Sequence, residues 1–317
     1  MGTTKIIMYI LIIIAVVYAL WLIISSYKKT KEIFDEKNQE RLRREQSIPL
    51  TDFHMHTTYC DGKNSPQEML EAAIALKMDA IGFTVHSHLD SESDWTIASE
   101  DMPFYVGELS NMQGDYEPKI NVLIGIEQDY WSRPEDCDIE GIEYKIGSVH
   151  SLIEEDIAGS SVDNKPEITL ACCEKYFDGD IYKMVERYFE LVGDIYERTH
   201  CNIVGHFDLI TKFNNLPNNE YNLFIDVNDE RYINAEQKAL EKLSKAPVIF
   251  EINTGGMSRG YTTAPYPSER VLQYLGEHKI PVIFASDAHT TDTLLYGRDE
   301  VLKLVEKYNL ELVNYPI

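Results

Sequence analysis

Short apolar runs that end in histidine or a carboxylate recur along this chain. Pro281-Val-Ile-Phe-Ala-Ser-Asp287-Ala-His289 is a β-branched and aromatic run that delivers two metal-ligand types, Asp287 and His289, at its end. Ile48-Pro-Leu-Thr-Asp-Phe-His54-Met-His56 closes in His-x-His, and the period-2 alternation of extended backbone puts both imidazoles on one side. Further runs end at His86, with His88 two residues on, and at Glu127, His150 and His206. With Asp61 in the loop after His56, the candidate donors are His54, His56, Asp61, His86, Glu127, His150, His206, Asp287 and His289. Such a set of nitrogen and oxygen donors, without a thiolate, exceeds one tetrahedral ion, because catalytic zinc takes about three protein ligands and a water. Two or three divalent ions are implied, with Zn, Mn and Fe all compatible.

A cluster of divalent ions lowers the pKa of a bridging water and neutralises charge on phosphoryl oxygens. Hydrolysis of a phosphate monoester is therefore the expected chemistry. Arg259, after Asn253-Thr-Gly-Gly-Met-Ser, is the candidate bidentate phosphate clamp. His86 is preferred to His88 as donor because it directly ends its run. His200 and His278 fall at helix ends, where a cation suits the dipole.

These residues need a scaffold that brings strand ends together. Seven apolar runs read as strands and alternate with helical segments; six end in His, Asp or Glu, and the seventh carries Glu251 and Asn253 into a Gly-Gly turn. In a parallel α/β barrel the C-terminal strand ends converge on one face, where chemistry sits. Ser65-Pro66-Gln67-Glu68 has the signals of a helix start. Residues 89–121 read as an acidic excursion over the pocket with a helix around Phe104–Met112, and residues 213–232 as a surface insertion. Between about 170 and 198 one amphipathic helical stretch is expected, and a last helix runs from about Asp299 to Tyr308.

The chain has 317 residues with 44% hydrophobic content, enough for one large domain of about 200–270 residues plus accessory segments. Asp and Glu outnumber Lys and Arg by 53 to 29, a net charge of −24 that disfavours a nucleic-acid partner. A small polar or cationic substrate fits better. The five cysteines form no Cys-x-x-Cys pair and suggest neither a disulfide framework nor a thiolate metal site.

Residues 6–24 are uncharged and rich in Ile and Leu, close to bilayer thickness as a helix. They are expected to span a membrane once, after a short tail at 1–5. The basic residues from Lys28 to Arg44, against Lys5 alone on the other flank, place the domain at 48–317 on the cytoplasmic side. Residues 25–47 read as a charged helical linker.

The motif series His-x-His, the Asp61 loop, His86, Gly-Ile-Glu127, Gly-Ser-Val-His150, Gly-His206-Phe-Asp and Ser-Asp287-Ala-His289 resembles that of the PHP (polymerase and histidinol phosphatase) superfamily. Glu-Ile-Asn253-Thr-Gly-Gly-Met-Ser-Arg259 followed by Tyr266-Pro-Ser looks most like its histidinol-phosphatase branch. The resemblance implies a distorted (β/α)7 TIM-like barrel, a trinuclear centre, and hydrolysis of L-histidinol phosphate to L-histidinol in histidine biosynthesis. It also implies that His54, His56, Glu127 and Asp287 hold one metal, that Glu127 bridges to a second held by His150 and His206, and that Asp61, His86 and His289 hold the third. The expected mechanism is in-line attack by a metal-bridging hydroxide, with Arg259 holding phosphoryl oxygens. Asp287, His289 or a metal-bound water would protonate the leaving group. The acidic segments 89–101 and 135–143 are candidates to meet the cationic parts of such a substrate. A membrane-anchored PHP phosphoesterase for another phosphorylated metabolite, and a metal-binding module without turnover, are the alternatives.

Overall fold

The structure, a computed structural model, describes residues 48–90, 94–214 and 225–316, together with Ser26, Lys29 and Lys31. Its frame is one all-parallel sheet in sequential order: β1 (Thr51–Asp52), β2 (Ala80–His86), β3 (Asn121–Asp129), β4 (Tyr144–Ser148), β5 (Ile203–Val204), β6 (Ile249–Asn253), β7 (Pro281–Ala285) and β8 (Glu311–Leu312). On β2, Ala80, Gly82, Thr84 and His86 share one face, while Ile81, Phe83 and Val85 pack outward with residues of the first helices. The same alternation on β3 sends Leu123, Gly125 and Glu127 inward. The parallel register sets Ala80 beside Asn121 and His86 beside Glu127, so two donors meet at one level.

Tyr144 fills the inside of the sheet, donating to the Phe53 carbonyl at 2.7 Å. Gly82 and Gly125 face its ring so closely that a Cβ on either would collide with it. Phe53, Leu123, Ile146, Ile203 and Ile283 complete this inner core.

Helices cover the outside. α1 (Pro66–Ala75) starts with the expected capping box: the Ser65 hydroxyl accepts from Glu68 N, and Glu68 Oε2 accepts from Ser65 N at 2.8 Å. α2 (Met102–Tyr116) lies in the 89–121 excursion. The stretch expected to be one helix is two, α3 (Pro166–Phe177) and α4 (Ile181–Thr199). Asp178 turns left-handed at φ 56° and ends the first, and Asp180 caps the second through Tyr182 N and Lys183 N. Next come α5 (Glu230–Leu243), α6 (Gly255–Ser258), α7 (Glu269–His278) and α8 (Arg298–Tyr308).

Two expectations about fold class are corrected. The sheet has eight strands rather than seven, because β8 returns beside the start of β7, pairing Pro281 with Glu311. It is a half-barrel whose rim is bridged where Met55 meets Ala288, with His56 N donating to Ala288 O at 2.8 Å. The second correction concerns the membrane. Among the described residues no helix is long and apolar enough to cross one, and residues 6–24 lie outside the described residues. The described helices are built for a different partner: α4 buries one face, from Met184 to Ile195, against the protein and turns charged residues outward. The single-pass membrane placement with a cytoplasmic domain is withdrawn accordingly. The linker at 25–47 also falls almost wholly outside the described residues, as do residues 215–224 of the surface insertion.

Candidate active site

All nine candidate donors converge at the C-terminal ends of the strands, and Glu127 stands at their centre. Its Oε2 lies 2.9 Å from His86 Nδ1, 3.2 Å from His54 Nε2 and 3.4 Å from His56 Nε2. Its Oε1 faces the other way, 3.0 Å from His206 Nε2 and 3.4 Å from His150 Nε2. Asp287 Oδ1 lies 3.3 Å from His56 Nε2, and Asp61 Oδ2 lies 3.1 Å from His289 Nε2. Three sets of donors stand close enough to share an ion: His54, His56 and Asp287; His86, Glu127 and His150; and His56, Asp61, His86 and His289.

These residues fit divalent ions. His54 Nε2, His56 Nε2, His86 Nδ1, Asp61 Oδ1 and Glu127 Oε2 are buried without a hydrogen-bond partner. Orphaned polar atoms are costly in a protein interior, and so many turned toward one another make a site for cations. Orienting contacts agree. Glu251 Oε2 lies 2.8 Å from His54 Nδ1, and Asp129 Oδ2 lies 3.0 Å from His150 Nδ1. A carboxylate on Nδ1 fixes the tautomer that leaves Nε2 as the lone-pair donor.

The charges are coupled in the same sense. Burial opposes charge on His54, yet the surrounding Glu251, Glu127 and Asp287 raise its pKa well above the ordinary value. His150 is likewise raised against its burial, by Glu127 and Asp129. His56, buried and beside His289 and His86, is lowered to about 3 and stays neutral. Burial would raise Asp287, but Arg259 and His54 hold its carboxyl well below the usual range. Asp287 also adopts φ 51°, a left-handed conformation that costs a non-glycine residue about 1 kcal/mol or more.

Arg259 reaches the same point. It donates through one terminal nitrogen to Asp287 Oδ2 at 3.0 Å and through the other to Asp287 O at 3.2 Å, the latter also 2.9 Å from His289 Nδ1. The choice between His86 and His88 is plain in the geometry. His86 faces Glu127, whereas His88 turns into its own loop, with Nδ1 3.1 Å from Ile97 O and Nε2 3.2 Å from Asp90.

The donors open into a cavity of about 300 Å³ whose far wall includes Trp95, Ser161, Asp163, Lys212 and Tyr261. Among the described residues of the acidic segment 89–101, only Trp95 lines this cavity, edge-on to His86 and His150. Asp138 and Glu143 line a separate, smaller cavity with Lys145 and His200. No described acidic residue of 89–101 or 135–143 lines the site cavity, contrary to the expectation from the sequence. The sequence reading also passed over Asp129 and Asp163, and named Glu251 at the end of its strand without giving it a role. Asp129 carried a signal, since it stands two residues after Glu127 on the same strand face.

A half-barrel of parallel strands with a histidine and carboxylate centre at its C-terminal rim defines a class of metal-dependent hydrolase sites. The family model of the PHP domain matches residues 52–255, which span seven of the nine donors in full order, and the chain belongs to that family. The chain is 27% identical over 259 residues to a protein of Schizosaccharomyces pombe named probable histidinol-phosphatase, covering 76% of this chain and 81% of that one. It is 25% identical over 279 residues to the histidinol-phosphatase of Bacillus subtilis, covering 80% and 98%. In fold it is similar to the histidinol phosphate phosphatase of Lactococcus lactis, solved with zinc, L-histidinol and phosphate: TM-score 0.65, 18% identity, 84% of this chain and 96% of that one.

Proposed function

We propose that this protein is a metal-dependent histidinol-phosphatase, hydrolysing L-histidinol phosphate to L-histidinol and phosphate. The observation that carries the chemistry is the two-sided Glu127, one oxygen toward His54, His56 and His86 and the other toward His150 and His206, with Arg259 pinned beside Asp287. The substrate is supported by the names of the relatives that align across most of the chain.

His54, His56, Asp287 and Glu127 would hold one ion, Glu127, His150 and His206 a second, and Asp61, His86 and His289 a third. Ions bound there supply Lewis acidity toward the phosphoryl oxygens and acidify the attacking water. Arg259 has five N–H donors and spends part of them on Asp287 and His289, so it can turn others to a non-bridging phosphoryl oxygen while staying fixed. Asp287, between His56 and Arg259, or His289 beside it can relay the proton of the attacking water to the leaving alkoxide as the phosphorus–oxygen bond breaks.

The test is phosphate release by the Mn- or Zn-loaded protein from L-histidinol phosphate against a panel of other monoesters and a diester. A kcat/KM for histidinol phosphate on the order of a hundredfold above the panel is expected, the size that matched polar recognition supplies. Even activity across the panel would leave a phosphoesterase of different substrate.

A further inference from the structure

Four carboxylates line the cavity: Asp61, Glu127, Asp163 and Asp287. Three of them stand in the donor sets, and Asp163 stands in none. A carboxylate repels a phosphate dianion, so its place in a phosphoester cavity calls for a cation opposite it. Lys212 is not enough to fill that role. Its ammonium donates to the Asp163 backbone carbonyl at 2.6 Å and lies 4.7 Å from the centre of the Tyr261 ring, while Asp163 Oδ2 is 3.5 Å away. Lys212 thus clamps the loop through the backbone and meets the carboxylate only by a long ion pair of 3.5 Å, which leaves Oδ2 room for a second, shorter cationic partner. Oδ1 accepts from the Ser161 hydroxyl at 3.1 Å, and that hydroxyl accepts in turn from Asp163 N and Asn164 N. Oδ1 is held by Ser161, Oδ2 has the long contact to Lys212, and the side chain is 27% exposed in the wall of the cavity.

We propose that Asp163 is the specificity residue for the leaving alcohol, receiving the ammonium group of an amino-alcohol phosphate at Oδ2 while Arg259 and the metal donors hold the phosphoryl end. This rests on the phosphatase reading above and deepens it, since the enzyme then selects monoesters whose alcohol carries a primary amine. A positioned carboxylate of this kind contributes to discrimination because the competitor without the amine leaves it desolvated and unpaired.

The experiment uses the metal-loaded full chain, its Asp163→Asn variant, and two substrates, L-histidinol phosphate and the same ester lacking the amine. For the unaltered protein kcat/KM should favour the amine-bearing ester by about 30-fold or more, and in D163N the preference should fall to about threefold or less, chiefly by loss on the amine-bearing ester. Calorimetric titration with L-histidinol and with its amine-free analogue gives a readout that needs no turnover and no variant. Equal affinity of the unaltered protein for the two alcohols would overturn the proposal, as would an equal loss on both esters in D163N, which marks Asp163 as a partner of Lys212 alone. If no ester is turned over, the phosphatase reading fails, and the two alcohol affinities still decide the role of Asp163.

Discussion

Glu251 and Asp129 touch no substrate, yet each sets which nitrogen its histidine offers to an ion. Replacing Glu251 with Gln keeps the shape and removes the charge that orients His54, and metal affinity should fall about 10- to 100-fold. Competition with a chelating dye measures it; unchanged affinity would remove Glu251 from the centre. Arg259→Lys keeps a charge and loses the fork. With metal content unchanged, kcat/KM should drop by about 100-fold, because a lysine cannot hold Asp287 and a phosphoryl oxygen at once. The raised pKa values of His54 and His150 give a pH prediction of definite sign. In the metal-free protein both bind protons above the ordinary histidine range, so their carboxylate pairs stabilise the fold at neutral and lower pH and lose that contribution as pH rises through the raised values. Ions compete with those protons, so metal binding should release protons near pH 7 and tighten as pH rises. Calorimetry in two buffers of different ionisation enthalpy reads the release directly, and a buffer-independent heat would contradict it.

At the scale of the element, β3 places the central carboxylate, and Tyr144 braces β3 through the space left by Gly125. Gly125→Ala forces the ring or the strand to move, and overpacking of this kind costs about 1–3 kcal/mol. Thermal unfolding should show a lower Tm, with metal affinity falling alongside because Glu127 lies two residues on in the same strand. A G125A protein as stable as the parent would show that the ring gives way freely. The strands and their ligands were legible in the sequence because each apolar run ends in the residue that does chemistry, as at His86, Glu127 and Asp287. The orienting carboxylates were not, since Glu251 acquires its role only by facing His54 across a separation of 197 residues. Asp163 was hidden for a related reason, its meaning residing in a cavity wall assembled from distant loops. β8, as short as β1 and β5, leads into none of the donors that mark those runs, which is why seven strands were expected. The boundary between α3 and α4 lay in Asp178 and Gly179, whose left-handed turn interrupts a pattern that is amphipathic on both sides.

For the whole molecule, the donors come from strands across the sheet, so metal binding and folding are linked. Chelation should lower Tm, and each hundredfold excess of ion over its dissociation constant should restore about 2.7 kcal/mol. The long apolar run at residues 6–24 satisfies the length and composition of a span and lies outside the described residues, among which no helix is long and apolar enough to cross a membrane. The shared role of Glu127 is what ties the strand ends into one centre, and anomalous diffraction from crystals grown with Mn or Zn tests it. Two or three peaks among the nine donors are expected, with Glu127 between two of them. A single peak, or ions that leave both oxygens of Glu127 uncoordinated, would contradict the shared centre and the phosphoryl chemistry built on it.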